Sequence, residues 1–306
     1  FVIAQNASDV NRTGLYIIMQ ETPMKKAKRI LVFAILAAML LSLCGCGMFR
    51  THVAKAAIKM SKLESLHADV EMQIGMGISV LGQDVNADAT VTGGADIQRD
   101  PERVYVNMNA EVAGFEQNML LYAVGRDGGA DVYSSADSGE SWTKDSIEND
   151  DSSKSSKADG KSVFLLLSDS AASFKEYGKE KVNGSDAIRY NGKITSDELR
   201  QALELANAKQ ALEESLDVEL DDDVFEDLGD VPVSIWIDVK SGMIVRIEMD
   251  MSDVMQGLVP VLVDKAMEKT DIGIGVNTKV YEVTVSITLS EFDAVQVTKP
   301  TTLNIG

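Results

Sequence analysis

The stretch "HADVEMQIGMGISV", residues 67–80, decides how the rest of the chain is read. Ala68, Val70, Met72, Ile74, Met76, Ile78 and Val80 alternate with Asp69, Glu71, Gln73, Gly75, Gly77 and Ser79. Side chains on an extended backbone point to opposite faces in turn, so this is a long strand with one apolar and one wet face. The same period returns in "DVNADATVTGGADI" (84–97), "VYVNMNAEV" (104–112) and "EQNMLLYAVG" (116–125). Turn material separates these runs at Leu81-Gly82-Gln83, Asp100-Pro101-Glu102 and Ala113-Gly114, which predicts an antiparallel meander.

Further hairpins follow. "ADVYSSADSGESWTK" (130–144) turns at Asp137-Ser138-Gly139, and "KEKVNGSDAIRYNGKI" (179–194) turns at Asn183-Gly184, a strong two-residue signal. "VPVSIWIDVKSGMIVRIEMDM" (231–251) turns at Lys240-Ser241-Gly242; Val233, Ile235, Ile237 and Val239 share one face, as do Val245, Ile247, Met249 and Met251. In the last strand, "KVYEVTVSITLSEF" (279–292), Tyr281, Val283, Val285, Ile287 and Leu289 alternate. Helical spacing marks 48–66, where Val53, Ala57, Met60 and Leu63/Leu66 make one stripe, and a short buried helix is predicted within 163–178. A capping box, Thr195-Ser196-Asp197-Glu198, opens a helix over 196–216. Another covers 252–270, kinked or restarted at Pro260. Residues 147–162 are polar and patternless, and 217–230 form an acidic linker; both are expected to be mobile loops.

About ten strands with few helices predict an α+β fold. A sheet this wide tends to curl, and its apolar face needs cover, so the expected form is an open half-barrel with helices on the concave side.

The front of the chain has a different character. "MKKAKRILVFAILAAMLLSLCGC" (24–46) has a basic start (Lys25, Lys26, Lys28, Arg29) and an apolar run from Ile30 to Leu41. That is the layout of a secretory signal peptide, and the run is short for a membrane span. Leu43-Cys44-Gly45-Cys46 resembles the lipobox of bacterial lipoproteins. Gly45 suits the position before the cleaved bond, whereas the alternative register would put bulky Leu43 there, so Cys46 is the expected lipidated residue. A zinc site would need further ligands, and the chain has only Cys44, Cys46, His52 and His67 to offer. A redox pair normally reads Cys-x-x-Cys in a folded context. Residues 1–23 precede a good start at Met24 and are read as an upstream extension, with 24–45 as signal and 46–306 as one domain.

The whole chain carries a net charge of −19. Removing 1–45, with five basic and two acidic side chains, deepens this to −22. Such a surface repels nucleic acid and anionic headgroups, so attachment to a membrane would rest on acyl chains at Cys46. Without a second cysteine in 46–306, the mature domain would stand on core burial alone.

The order of lipobox, short helix, long meander, "SGESWTK" hairpin, "YGKEKVNGSDAIRYNGKI" hairpin, helix, "IWIDVKSGMIVRIEMD" hairpin and "FDAVQVTKP" tail resembles the LolA/LppX-like bacterial lipoproteins over nearly all of 48–300. The resemblance implies an open barrel whose helix-closed cavity takes lipid or acyl chains, with no catalytic residues and no cofactor. The helix-linker insertion at 196–230 is longer than that pattern has.

Methionines on the predicted apolar faces suit a wall that accepts variable apolar ligands, although they also fill ordinary cores. Met72, Met76, Met108 and Met249, with Trp142 and Trp236 near hairpins, are the candidate ligand-lining residues. The eight carboxylates of 217–230 lack the spacing of a calcium loop and read as a solvated linker. Ser141-Trp142-Thr143-Lys144 matches a Ser-x-x-Lys nucleophile motif, but it sits in a hairpin and its Ser-Asp-Asn and Lys-Thr-Gly partners are absent. The expected function is therefore non-enzymatic: a membrane-tethered lipoprotein binding a lipid or other apolar ligand, or alternatively an envelope scaffold or interaction module with a filled core. No nucleic-acid partner and no metal are expected.

Overall fold

The computed structural model describes residues 51–303 other than 81–82, 87, 113, 128, 149–166, 168–169, 206–207, 227 and 269–275. The segments read as upstream extension and signal, with Leu43, Gly45 and Cys46, lie outside the described residues, as do 149–162 of the expected loop and 163–166 and 168–169 of the helix expected within 163–178; in the rest of that range Ser170–Ser173 form a 3₁₀ turn and the chain is already a strand from Lys175.

The chain opens with α1 (His52–Met60), capped by Thr51, whose side chain accepts a hydrogen bond from the Ala54 amide at 3.1 Å. Seven strands follow: β1 (Ser65–Val80), β2 (Gln83–Asn86), β3 (Ala89–Arg99), β4 (Glu102–Val112), β5 (Phe115–Arg126), β6 (Gly129–Ser135) and β7 (Thr143–Glu148). Then come β8 (Lys175–Val182), β9 (Ser185–Ile194), α2 (Ser196–Leu205), α3 (Ala208–Leu216), β10 (Val231–Asp238), β11 (Ile244–Asp250), α4 (Ser252–Glu268) and β12 (Val276–Ser290). The predicted capping box is formed: Thr195 N–H donates to Glu198 Oε2 at 2.8 Å, and Glu198 N–H to Thr195 Oγ1 at 3.4 Å. At the β8–β9 turn Asn183 and Gly184 both take positive φ, 49° and 81°, as a two-residue hairpin of this hand requires.

All strands join one antiparallel sheet in the order β7-β6-β5-β4-β3-β1-β12-β11-β10-β9-β8, with β2 paired to the end of β1. The path explains the shape. The chain starts at the centre, meanders out to one edge, crosses to the other edge, and works inward until β12 pairs with β1. That closing pair runs from His67↔Ser290 to Val80↔Val276. The sheet does not close on itself, so β7 and β8 remain edges. At β8 the edge carries Lys175, Glu176, Lys179, Glu180 and Lys181, with a register shift between Glu176 and Gly178; charge and irregularity both discourage edge-to-edge pairing.

One face of the sheet, here the inner face, holds the main core. Ala68, Val70, Met72 and Ile74 of β1 and Val283, Val285, Ile287 and Leu289 of β12 are all buried there. The helices cover this face, as expected: α1 packs on β10 and β11 and α4 lies along β12. The linker departs from expectation. Val218, Leu220, Phe225 and Leu228 are buried in the main core while the carboxylates between them stay at the surface. The apolar residues are spaced so that an irregular segment still presents one greasy side, and burying four of them outweighs the linker's acidity.

Two bulges re-aim side chains that simple alternation assigns to the inner face. Between Gly75 and Met76 the pairing skips Tyr281, which ends half-exposed over Gly77 while Val280 turns inward. Between Trp236 and Ile237 it skips Val245, which joins an outer cluster with Trp236, while Ile244 enters the core. A bulge inserts one residue and flips everything beyond it.

Candidate functional site

The inner face is the natural place to look for an apolar site. Met72 and Met249 flank Val285 across neighbouring strands, and Met108 lies directly opposite Met119. Met72, Met108 and Met249 are 5–7% exposed, and Met76 is half-buried against the same core. Four of the six candidate residues thus share one apolar layer, as wall or as filling. Toward β6 the packing loosens: Val104, Val106, Leu121, Ala123 and Val132, inward-facing by register with Met108 and Met119, are only half-buried.

The tryptophans are elsewhere. Trp142 belongs to an outer-face cluster with Tyr105, Tyr122 and Tyr133, covered by Val295, Val297 and Leu303 of the C-terminal tail. Its indole N–H donates to Thr302 Oγ1 at 3.2 Å. The tail is strapped down along its length: Val295 N–H donates to Ser65 Oγ, Val297 N–H to Gln98 Oε1, and Arg103 Nη1 to the Val297 carbonyl. Trp236 is buried on the same outer face. Its ring lies between the guanidinium groups of Arg189, 4.9 Å away, and Arg246, 5.2 Å away, while its N–H donates to Glu180 Oε2 at 2.8 Å. Arg189 also covers the Tyr177 ring at 5.0 Å. Sequence reading had no means of separating these roles, because a tryptophan one position from an apolar run suits either face.

The Ser-x-x-Lys residues are committed separately. Ser141 Oγ donates to Asp137, and Lys144 Nζ sits 2.9 Å from Asp131 and over the Tyr133 ring. The linker carboxylates are spread among cations: Asp222 with Lys209 at 2.5 Å, Asp221 with Lys265 at 3.1 Å, Asp230 with Lys193 at 2.5 Å. Among the described residues no group of His, Cys, Asp and Glu is placed to hold a metal ion, and no helix is long and apolar enough to cross a membrane.

His67, on the outer face, is set to respond near neutral pH. Partial burial disfavours its charged ring, but hydrogen bonds to Asp96 at 2.6 Å and Asp69 at 3.2 Å outweigh that and raise its pKa above the usual imidazole value. A raised folded-state pKa contributes stability that is complete below the unfolded value, near 6.5, and is lost as pH rises through the folded value. The stability gap between wild type and His67→Gln is therefore expected to be about 0.5–1 kcal/mol at pH 5.5 and to shrink by pH 8.5. Urea unfolding at the two pH values measures it; a gap that widens with pH contradicts the assignment.

Two hollows are found away from the inner face. One, of about 450 Å³, lies on the outer face over β9–β12 and β1. The other, of about 360 Å³, is rimmed by Arg200, Glu204, Lys209, Glu213, Asp222 and Glu226 beside α2 and α3.

Comparison with known proteins adds the following. A family described as a family of unknown function (DUF6612) matches residues 50–184, less than half of the chain. No curated protein matches. Among solved structures the chain is similar to the lipoprotein LppX of Mycobacterium tuberculosis, with 11% identity over 80% of this chain and 95% of that one and a TM-score of 0.37. It is similar to LprF from Mycobacterium bovis, with 14% identity over 83% and 96% and a TM-score of 0.39. A LolA-superfamily protein from Nitrosomonas europaea aligns at 10% identity over 80% and 94%, with a TM-score of 0.16.

Proposed function

We propose that this chain is a bacterial lipoprotein held outside the cytoplasmic membrane by acyl chains on Cys46, and that the apolar inner face of its half-barrel takes up a lipid or other apolar ligand. The observation that carries the reading is the uneven cover of that face. Helices and linker bury it over β1 and β9–β12, while Val104, Val106, Leu121, Ala123 and Val132 keep part of their surface open. Apolar surface left half-covered on one side of a wide sheet gains from an apolar guest at roughly 25 cal/mol per Å². No catalytic role is proposed for any side chain.

A second reading, a scaffold or interaction module with a filled core, draws support from the tight burial of Met72, Met108 and Met249. One experiment separates the two. The protein purified without detergent is extracted and examined by native mass spectrometry, then titrated with a fluorescent fatty acid. Lipid reading: a saturable, near-stoichiometric uptake, reduced at least tenfold (about 1.4 kcal/mol) by Leu121→Asp with the fold retained. Empty protein and no uptake leave the scaffold reading standing.

A further inference from the structure

The outer hollow is not a random dent, because the register of the sheet builds it from two crosswise rows of polar side chains. The first row runs straight across five strands: Glu71 opposite Ser286, Ser286 opposite Glu248, Glu248 opposite Ser234, and Ser234 opposite Asn191. Two residues further along the strands, Gln73 faces Thr284 and Thr284 faces Asp250, with Pro232 completing the wall. Between the rows the floor is backbone, since Val233, Met249 and Val285 line the hollow while their side chains are buried in the core below. At ~4.8 Å per strand, the longer row spans roughly 19 Å.

One end is rigid. Asn191 Oδ1 accepts from Arg189 Nε at 2.8 Å and from Ser234 Oγ at 3.0 Å, and Arg246 is held against Trp236 by its ion pair with Glu248. Elsewhere hydrogen-bonding capacity is unspent. Thr284 and Ser286 are half-buried in the trough wall, and no hydrogen bond is seen at their hydroxyls among the described residues, whereas Asp250 Oδ1 already accepts from the Ser252 amide at 3.0 Å and hydroxyl at 2.5 Å. Glu71 takes up only the amide of Gln73.

The chemistry of the rows narrows the guest. Three carboxylates, Glu71, Glu248 and Asp250, face one guanidinium that is already paired, so an anion is disfavoured. The polar rows offer nothing to an acyl chain. An extended peptide cannot join as an extra strand, because the floor strands are paired on both sides and their backbone groups are spent. What fits is a chain of hydroxyl-bearing rings with amine or acetamido groups, laid across the strands so that each ring meets a new carboxylate or hydroxyl. We propose that this outer trough binds an oligosaccharide containing amino sugars. The site lies on the opposite face from the proposed apolar site and does not depend on it.

The full chain is titrated calorimetrically with glucosamine tetrasaccharide and with its fully N-acetylated counterpart. Saturable one-to-one binding of at least one of them is expected, with a Kd in about the micromolar to millimolar range. Ser286→Phe, which fills the trough at a strand position tolerant of aromatics, should weaken it at least tenfold. Glu71→Gln and Glu248→Gln, which keep the shape and remove charge, should each weaken the glucosamine form several-fold, and they decide the matter if Ser286→Phe does not fold. Absence of saturable binding by either saccharide overturns the proposal. So does equal displacement by tetralysine, which would make the trough only an acidic surface, or unchanged affinity in the glutamine variants and Ser286→Phe together.

Discussion

Gly93→Ala is expected to destabilise the protein by about 3 kcal/mol or more, while Gly94→Ala, one residue on, stays within about 1 kcal/mol of wild type. The two glycines sit side by side in β3 and point to opposite faces. At Gly93 an added Cβ would lie 2.1 Å from the Asn107 carbonyl oxygen and 2.7 Å from both Met108 Cα and Sδ. The sulfur could move, but the carbonyl and Cα belong to β4, directly paired with β3 at Gly93↔Met108. Relief requires the two strands to separate where Val70 of β1 and Met108 of β4 close over the glycine. For that reason Met108→Ala is not expected to rescue Gly93→Ala. At Gly94 the nearest atom to a new Cβ is His67 Cε1, 3.0 Å away at the end of a side chain that can yield a few tenths of an ångström. Replacing glycine in a strand interior also removes unfolded-state entropy, which offsets part of that cost. Urea midpoints for the two variants measure the contrast. Equal losses at both positions would mean that the close approach of β3 and β4 is not what holds this register.

Much of this arrangement could be read from the sequence because period-two alternation reports which face a residue takes. It marks the strands of both meanders, while turn residues mark the hairpins at Asn183-Gly184 and Lys240-Ser241-Gly242 and the Thr-x-x-Glu spacing marks the capping box at Thr195. Alternation cannot report a bulge, since nothing in "KVYEVTVSI" or "SGMIVRIEM" marks the skipped residue; hence Tyr281 and Val245 end on the outer face. Nor does it report order across the sheet. That β12 returns to β1 while β7 and β8 stay edges is a long-range pairing that no local pattern encodes. The linker at 217–230 misled through composition: its acidic residues dominate the count, but Val218, Leu220, Phe225 and Leu228 decide where it lies. Neither tryptophan's face is encoded locally. Trp236 is held by Arg189 and Arg246, which come from neighbouring strands β9 and β11 and become its neighbours only once the register is known.

Cys46→Ser is expected to abolish palmitate labelling and processing, leaving the protein either unprocessed on its apolar leader or released, the largest change in behaviour expected from one substitution. Attachment through the folded part has little to draw on. With 1–45 removed, as proposed, the net charge would be −22, which anionic headgroups repel, and among the described residues no helix is long and apolar enough to cross a membrane. Two acyl chains, at about 0.8 kcal/mol per buried CH₂, supply an anchor that a single chain does not. Cys44→Ser is the informative control. If Leu43-Cys44-Gly45-Cys46 is cleaved after Gly45, Cys44 departs with the signal and its loss leaves fractionation and palmitate labelling unchanged. Should Cys44→Ser instead abolish labelling while Cys46→Ser keeps it, cleavage after Leu43 is the true register. The mature chain would then begin two residues earlier and keep both cysteines, one of them free on the oxidising side of the membrane to form intermolecular disulfides. If the wild type takes no palmitate label and neither substitution changes its size or fractionation, the apolar run from Ile30 to Leu41 is holding it as an uncleaved anchor, and the acyl chains have no part in keeping the half-barrel at the membrane.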